Sequence, residues 1–177
     1  MALEVPIWLQ AGTYPARLDR GFIAEVMRQQ NRVFRGLVVA QRAAGANLSV
    51  DISAGNAAIL CTTQADGGMW FVRNTTPVNV LVPAAPGAGT RTDTVIAKVR
   101  DPNAGGEAGN DFVLEVITGV VVPGNSIALA TLARVAAEPS ITTAKITDAA
   151  PRGEWAWTVS TAVPSGKGIP GDLWVQC

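Results

Sequence analysis

Asn47-Leu48-Ser49-Val50-Asp51-Ile52-Ser53 alternates polar and apolar residues without a break. A period of two belongs to the β-strand, whose successive side chains point to opposite faces, so this stretch predicts a strand with one wet and one buried face. Toward the C terminus, similar runs predict strands at 57–63, 69–73, 76–82, 93–100, 112–118 and 126–136, with one more upstream at 37–42. Residues 125–136 also admit a partly helical reading, because periodicity alone does not separate the two in a short apolar run. Turn signals stand between the runs: Gly55-Asn56, Asp66-Gly67-Gly68, Asn74-Thr75, the Ala/Pro/Gly stretch 83–90, the polar loop 101–111 and Pro123-Gly124-Asn125. Short strands at this spacing predict a mainly β fold, an antiparallel β-sandwich.

Upstream the period changes. From Ala16 to about Gln30, Leu18, Phe22, Ile23, Val26 and Met27 recur at helical spacing, with Arg17, Asp19, Arg20, Glu25 and Arg28 on the other faces. One amphipathic helix is expected, started after Pro15 and ended by Asn31 and Gly36. Before it, VPIWLQAGTYP between Pro6 and Pro15 reads as an extended arm. After residue 138, Pro139, Pro151, Pro164 and Pro170 break the chain into short pieces, with a strand expected at 154–160. The resulting partition is an arm and helix at 1–32, a β-sandwich domain at 33–138 and a C-terminal extension at 139–177.

The 177 residues suffice for one core, and the apolar fraction, rich in Ala and Val, suits thin β layers. Fourteen basic and fourteen acidic residues cancel, so no net field draws the chain to nucleic acid, and copies of it do not repel one another. Histidine is absent, which removes the commonest general base and a common zinc ligand. Cys61, in the apolar run AAILC, reads as a small buried hydrophobe, with a disulfide to Cys177 as the alternative. The start MALEVPIWLQ lacks the basic and apolar regions of a signal peptide, and no apolar stretch is long enough for a bilayer span. The expectation is synthesis in the cytoplasm.

Catalytic chemistry finds little support in the pattern. Asp93, Asp101, Asp111 and Glu115 could in principle serve as paired acids, but Asp93 opens a predicted strand and Glu115 lies opposite Phe112, Leu114 and Val116 on the wet face. The loop DPNAGGEAGND has the oxygens of a calcium loop without its regular acid spacing. No serine sits in a nucleophile elbow, and the Gly-rich segments do not precede a Lys-Ser/Thr helix start. No catalytic, cofactor or metal residue is therefore assigned, and a non-enzymatic role is expected. Trp155 and Trp157, two apart, would present both rings on one strand face, as a platform for a sugar or another protein. The candidate interface residues are Ile7, Trp8 and Tyr14 in the arm, Phe22 on the helix, and Trp155, Trp157 and Trp174 in the extension.

Four stretches in order, VPIWLQAGTYPARLDR, QRAAGANLSVDISAGNAAI, RTDTVIAKVRDPNAGGEAGNDFVLEVITG and ARVAAEPSITTAKITDAAPR, resemble a module of tail-tip and baseplate (minor tail) structural proteins of siphophages that infect actinobacteria. The resemblance covers roughly residues 5–152 and rests on order and spacing. It implies a virion structural protein with a shoulder-like β domain, assembled as a homotrimer and in contact with other tail proteins. It also implies that Arg91, Asp93, Arg100, Asp148 and Arg152 are structural ion-pair partners. Family members often continue into a receptor-binding fibre, whereas this sequence stops soon after Arg152, which fits an adaptor better than a spike. Two alternatives remain at this point: a capsid decoration protein, and a host-adhesion module that binds cell-wall glycan through Trp155, Trp157 and Trp70. An enzyme akin to trimeric nucleotide hydrolases is disfavoured because their motifs are missing.

Overall fold

The computed structural model describes residues 16–105 and 107–152. It is mainly β, with one helix, α1 (Ala16–Val26), and ten strands: β1 (Arg32–Gly36), β2 (Val39–Gln41), β3 (Ser49–Ile52), β4 (Gly55–Leu60), β5 (Met69–Asn74), β6 (Val78–Leu81), β7 (Thr90–Arg100), β8 (Asp111–Thr118), β9 (Ser126–Val135) and β10 (Ile146–Asp148). They form three antiparallel sheets ordered β1-β4-β5, β2-β3-β6 and β10-β9-β7-β8. The second and third sheets meet at both margins, where β6 lies beside β8 and β10 beside β2. Val50, Ile52, Val80, Val95, Ala97, Leu129 and Leu132 fill the space between them.

The alternation at Asn47–Ser53 is realised in β3, whose Val50 and Ile52 are fully buried. Residues 126–135 are strand throughout, which removes the helical alternative. The reason is pairing on both sides, with β7 along one edge and β10 along the other. A bulge between Val95 and Ile96 leaves Leu129 as the extra residue on β9, so Ile127 and Leu129 before it and Leu132 after it all face the core.

Three expectations need correction. The helix ends at Val26 rather than near Gln30, because Arg28 and Gln29 both take a left-handed φ of 54° and close it. Gly55-Asn56 is not a turn but the start of β4, since Gly55 pairs with Gly36 on β1. A Cβ at Gly55 would lie 2.3 Å from the Arg35 carbonyl oxygen, so a side chain there would force the two strands apart. Finally, β1 and β10 belong to no predicted strand, and β10 carries the third sheet through the boundary drawn at residue 138. A parallel bridge between Val33 and Arg152, with Arg152 donating to the Gly36 carbonyl at 2.7 Å, ties that segment to β1. The arm before Ala16 and the strand expected at 154–160 lie outside the described residues.

Helix α1 covers part of the outer face of the β1-β4-β5 sheet, with its Ala24 and, just past its end, Met27 buried against Ala58 and Met69. Asn31 fixes the exit from the helix by accepting a 2.7 Å hydrogen bond from the Leu60 amide.

β7 is buried on both faces from Asp93 to Val99. Val95, Ala97 and Val99 face the core, so Thr94, Ile96 and Lys98 point the other way, where something else must cover them. The cover is the connection from β8 to β9. Both strands run antiparallel to β7 on either side of it, so residues 119–125 have to cross β7 and return almost the length of the sheet, from opposite Asp93 to opposite Lys98. Thr94 Oγ1 holds the beginning of this strap through the Gly119 carbonyl at 2.7 Å, and the Val99 amide holds its end through the Asn125 carbonyl at 2.9 Å.

Candidate interaction surfaces

Ionisable side chains are the first place to look for chemistry, and most of them are engaged with one another. At one end of the large sheet, Arg91 holds both oxygens of Asp93, at 2.6 and 2.9 Å. Arg134, whose side chain is fully buried, donates to Asp93 at 3.1 Å, to Glu138 at 3.0 Å and to the Pro83 carbonyl at 3.0 Å. Lys145 adds a 3.2 Å contact to Glu138. Burial pushes the Glu138 carboxyl up, but hydrogen bonds from Arg134 and Lys145 outweigh it and hold the group below its ordinary value. Elsewhere Arg100 pairs with Asp111, and Arg152 with Asp148 at 2.8 Å, and each of these carboxyls is lowered chiefly by its arginine. The five residues that the resemblance marks as ion-pair partners thus all form pairs.

At the opposite end the junction between the strap and the β4–β5 connection is made by neutral groups. Asn125, in a left-handed conformation with φ 56°, accepts from the Thr62 amide at 2.9 Å, while its own amide donates to Thr62 Oγ1 at 2.9 Å. Thr63 Oγ1 donates to the Ala104 carbonyl at 2.5 Å and accepts from Asn125 Nδ2 at 2.8 Å. Beside this junction a cleft of about 250 Å³ is lined by Thr63, Lys98, Glu107 and Asn125. Lys98 contacts Glu107 there and lies 3.9 Å from Glu115, which makes it a charge clasp between β7 and the loop after it. Cys61 is buried and forms no disulfide among the described residues, its Sγ 3.8 Å from the Ala104 carbonyl oxygen, while Cys177 lies outside them. Among the described residues no three of His, Cys, Asp and Glu are grouped to hold a metal ion, and no helix is long and apolar enough to cross a membrane.

Exposed apolar surface is the other resource. On the strap over β7, Val120, Val121 and Val122 are 63%, 84% and 37% exposed. They follow one another in a segment without strand pairing, so no choice of face could bury all three within the sheet. Leu81 on β6 is 77% exposed. A second surface is the groove of about 380 Å³ between α1 and the β4–β5 connection, lined by Leu18, Phe22, Leu60 and Cys61. Phe22, a residue expected at an interface, stands in that groove 44% exposed. Ile7, Trp8, Tyr14, Trp155, Trp157 and Trp174 lie outside the described residues. Trp70 is half-buried against the main core with the Arg20 guanidinium 5.6 Å from its ring centroid, so it does not stand out as an open sugar platform.

The valine trio was missed in the sequence because it falls in the gap between two predicted strands. A signal was present: three β-branched residues between Gly119 and Pro123 have strand chemistry with no strand to join. Scans against protein-family models, curated proteins and solved structures match nothing to this chain.

Proposed function

We propose that this chain is a non-enzymatic structural protein of a phage virion, placed at the tail tip or baseplate, that works by binding copies of itself and neighbouring proteins. The observation that carries the reading is the strap, where the fold spends a covering segment on β7 and leaves three consecutive valines in water. Exposed apolar side chains in such a run gain free energy only when another surface covers them, at about 25 cal/mol per Å² before ordering costs. The ionisable groups support the same reading, since Asp93, Glu138, Asp111 and Asp148 are occupied in holding strands together. The homotrimer and the tail position come from the family resemblance.

Light scattering on the purified chain tests self-association. A discrete oligomer is expected, a trimer on the family pattern, and Val121→Asp is expected to shift it toward smaller species without loss of fold, because Val121 is already 84% exposed. A monomer at micromolar concentration overturns the proposal. Labelling of intact particles tests position: signal at the tail end is expected, and signal over the capsid would replace the tail assignment with a head-decorating one.

A further inference from the structure

We infer that the outer face of the β1-β4-β5 sheet, where α1 leaves it open, is a docking surface for a carboxylate-rich segment of a neighbouring protein. The inference rests on the reading of the chain as an assembling module and names the chemistry of one partner.

The register sets the surface. Ala57 and Ile59 of β4 face the main core, so Asn56 and Ala58 face outward. Arg35 on β1 and Arg73 on β5 are both paired with Asn56, which puts them in one row on either side of it. At about 4.8 Å per strand their Cα atoms are about 10 Å apart. In the adjacent row Arg32 and Phe71 flank Ala58 in the same way. A bulge between Val33 and Arg35 turns Phe34 to this face as well, where its ring lies 5.9 Å from that of Phe71.

Charge then selects the partner. The chain is neutral overall, but none of Arg32, Arg35 and Arg73 forms an ion pair with a described carboxylate, while eight other described cations do. Arg35 and Arg73 are exposed on either side of Asn56. Three guanidinium groups with no described acid beside them suit carboxylates, which they grip through paired N–H donors, and the two phenylalanine rings supply an apolar floor for the side-chain stems. The overall neutrality disfavours nucleic acid, whose recruitment relies on a broad basic field rather than a patch of three.

The test uses the full chain and a fluorescently labelled hexaglutamate peptide, with hexaglutamine and oligothymidine as comparators and anisotropy as the readout. Hexaglutamate is expected to bind best, and Arg35→Gln with Arg73→Gln to weaken it about tenfold per arginine removed. Arg42→Gln, in the turn after β2, is expected to leave binding unchanged. Equal binding of hexaglutamine, tighter binding of oligothymidine, or an unaffected double variant overturns the inference. Should that occur while light scattering still gives an oligomer, only the acidic partner is lost and the assembly reading stands.

Discussion

The two ends of the β10-β9-β7-β8 sheet are closed by different chemistry. At one end the buried groups are ions, with Arg134 set between Asp93 and Glu138. At the other the buried junction is neutral, with Asn125 tied to Thr62 and Thr63. Both satisfy chain ends that have left the regular ladder. They differ in what happens when a member is lost: a removed amide leaves polar atoms unpaired, whereas a removed guanidinium leaves charges in a dry place. The ionic end is therefore the more fragile to substitution, and its buried Glu138 ties it to acid, as the exposed Arg100–Asp111 pair does more weakly at the other end.

Arg134→Met should have the largest effect. It strands Asp93 and Glu138 in the interior with only the partly exposed Arg91 and Lys145 to compensate, and a loss of about 3 kcal/mol is expected in chemical denaturation. Equal stability of this variant and the parent would erase the contrast between the ends. Asn125→Ala should cost less, about 1–3 kcal/mol, from the unpaired Thr62 amide and from placing alanine at a left-handed φ. A cost as large as that of Arg134→Met would mean that charge is not what separates the two ends.

Acid sharpens the comparison with a smaller effect. Glu138 is held below the ordinary glutamate value of 4.5, so the unfolded chain takes up a proton first. Its contribution is complete above about pH 4.5 and is lost as the pH falls through the lowered value in the folded protein. Asp148 acts in the same direction from an ordinary value of 3.8. Melting temperature should therefore fall below about pH 4.5. Glu138→Gln should start lower at neutral pH and show a flatter decline in acid, whereas Asn125→Ala should keep the parent's slope. A parallel decline in Glu138→Gln would remove Glu138 as a source of the acid response.

Much of the sandwich could be read from alternation, because β3, β5, β7 and β8 each bury one set of side chains against a common core. β1 could not, since its bulge puts Phe34 and Arg35 on the same face and destroys the period of two. β10 is only three residues long, too short for any period to show. Gly55 has the chemistry of a turn, and only its contact with the Arg35 carbonyl reveals why a strand needs it. The interaction surfaces were less legible for a related reason. The Arg35–Asn56–Arg73 row joins residues from three strands, and its register follows from pairings that no local pattern encodes. Helical spacing puts Phe22 on the apolar stripe of α1, but its 44% exposure depends on how far the sheet reaches beneath the helix, which no local pattern encodes.

The strap over β7 limits how this chain can change. It has eight links from Thr118 to Ser126, a reach of at most about 27 Å, and it must cover a diagonal of about 20 Å while climbing over side chains. Substitutions can alter what the crossing shows to its surroundings, but shortening it would pull β9 out of register or uncover Ile96. Its composition is open to selection while its residue count has a floor, so new binding preferences could arise there by replacement far more readily than by deletion.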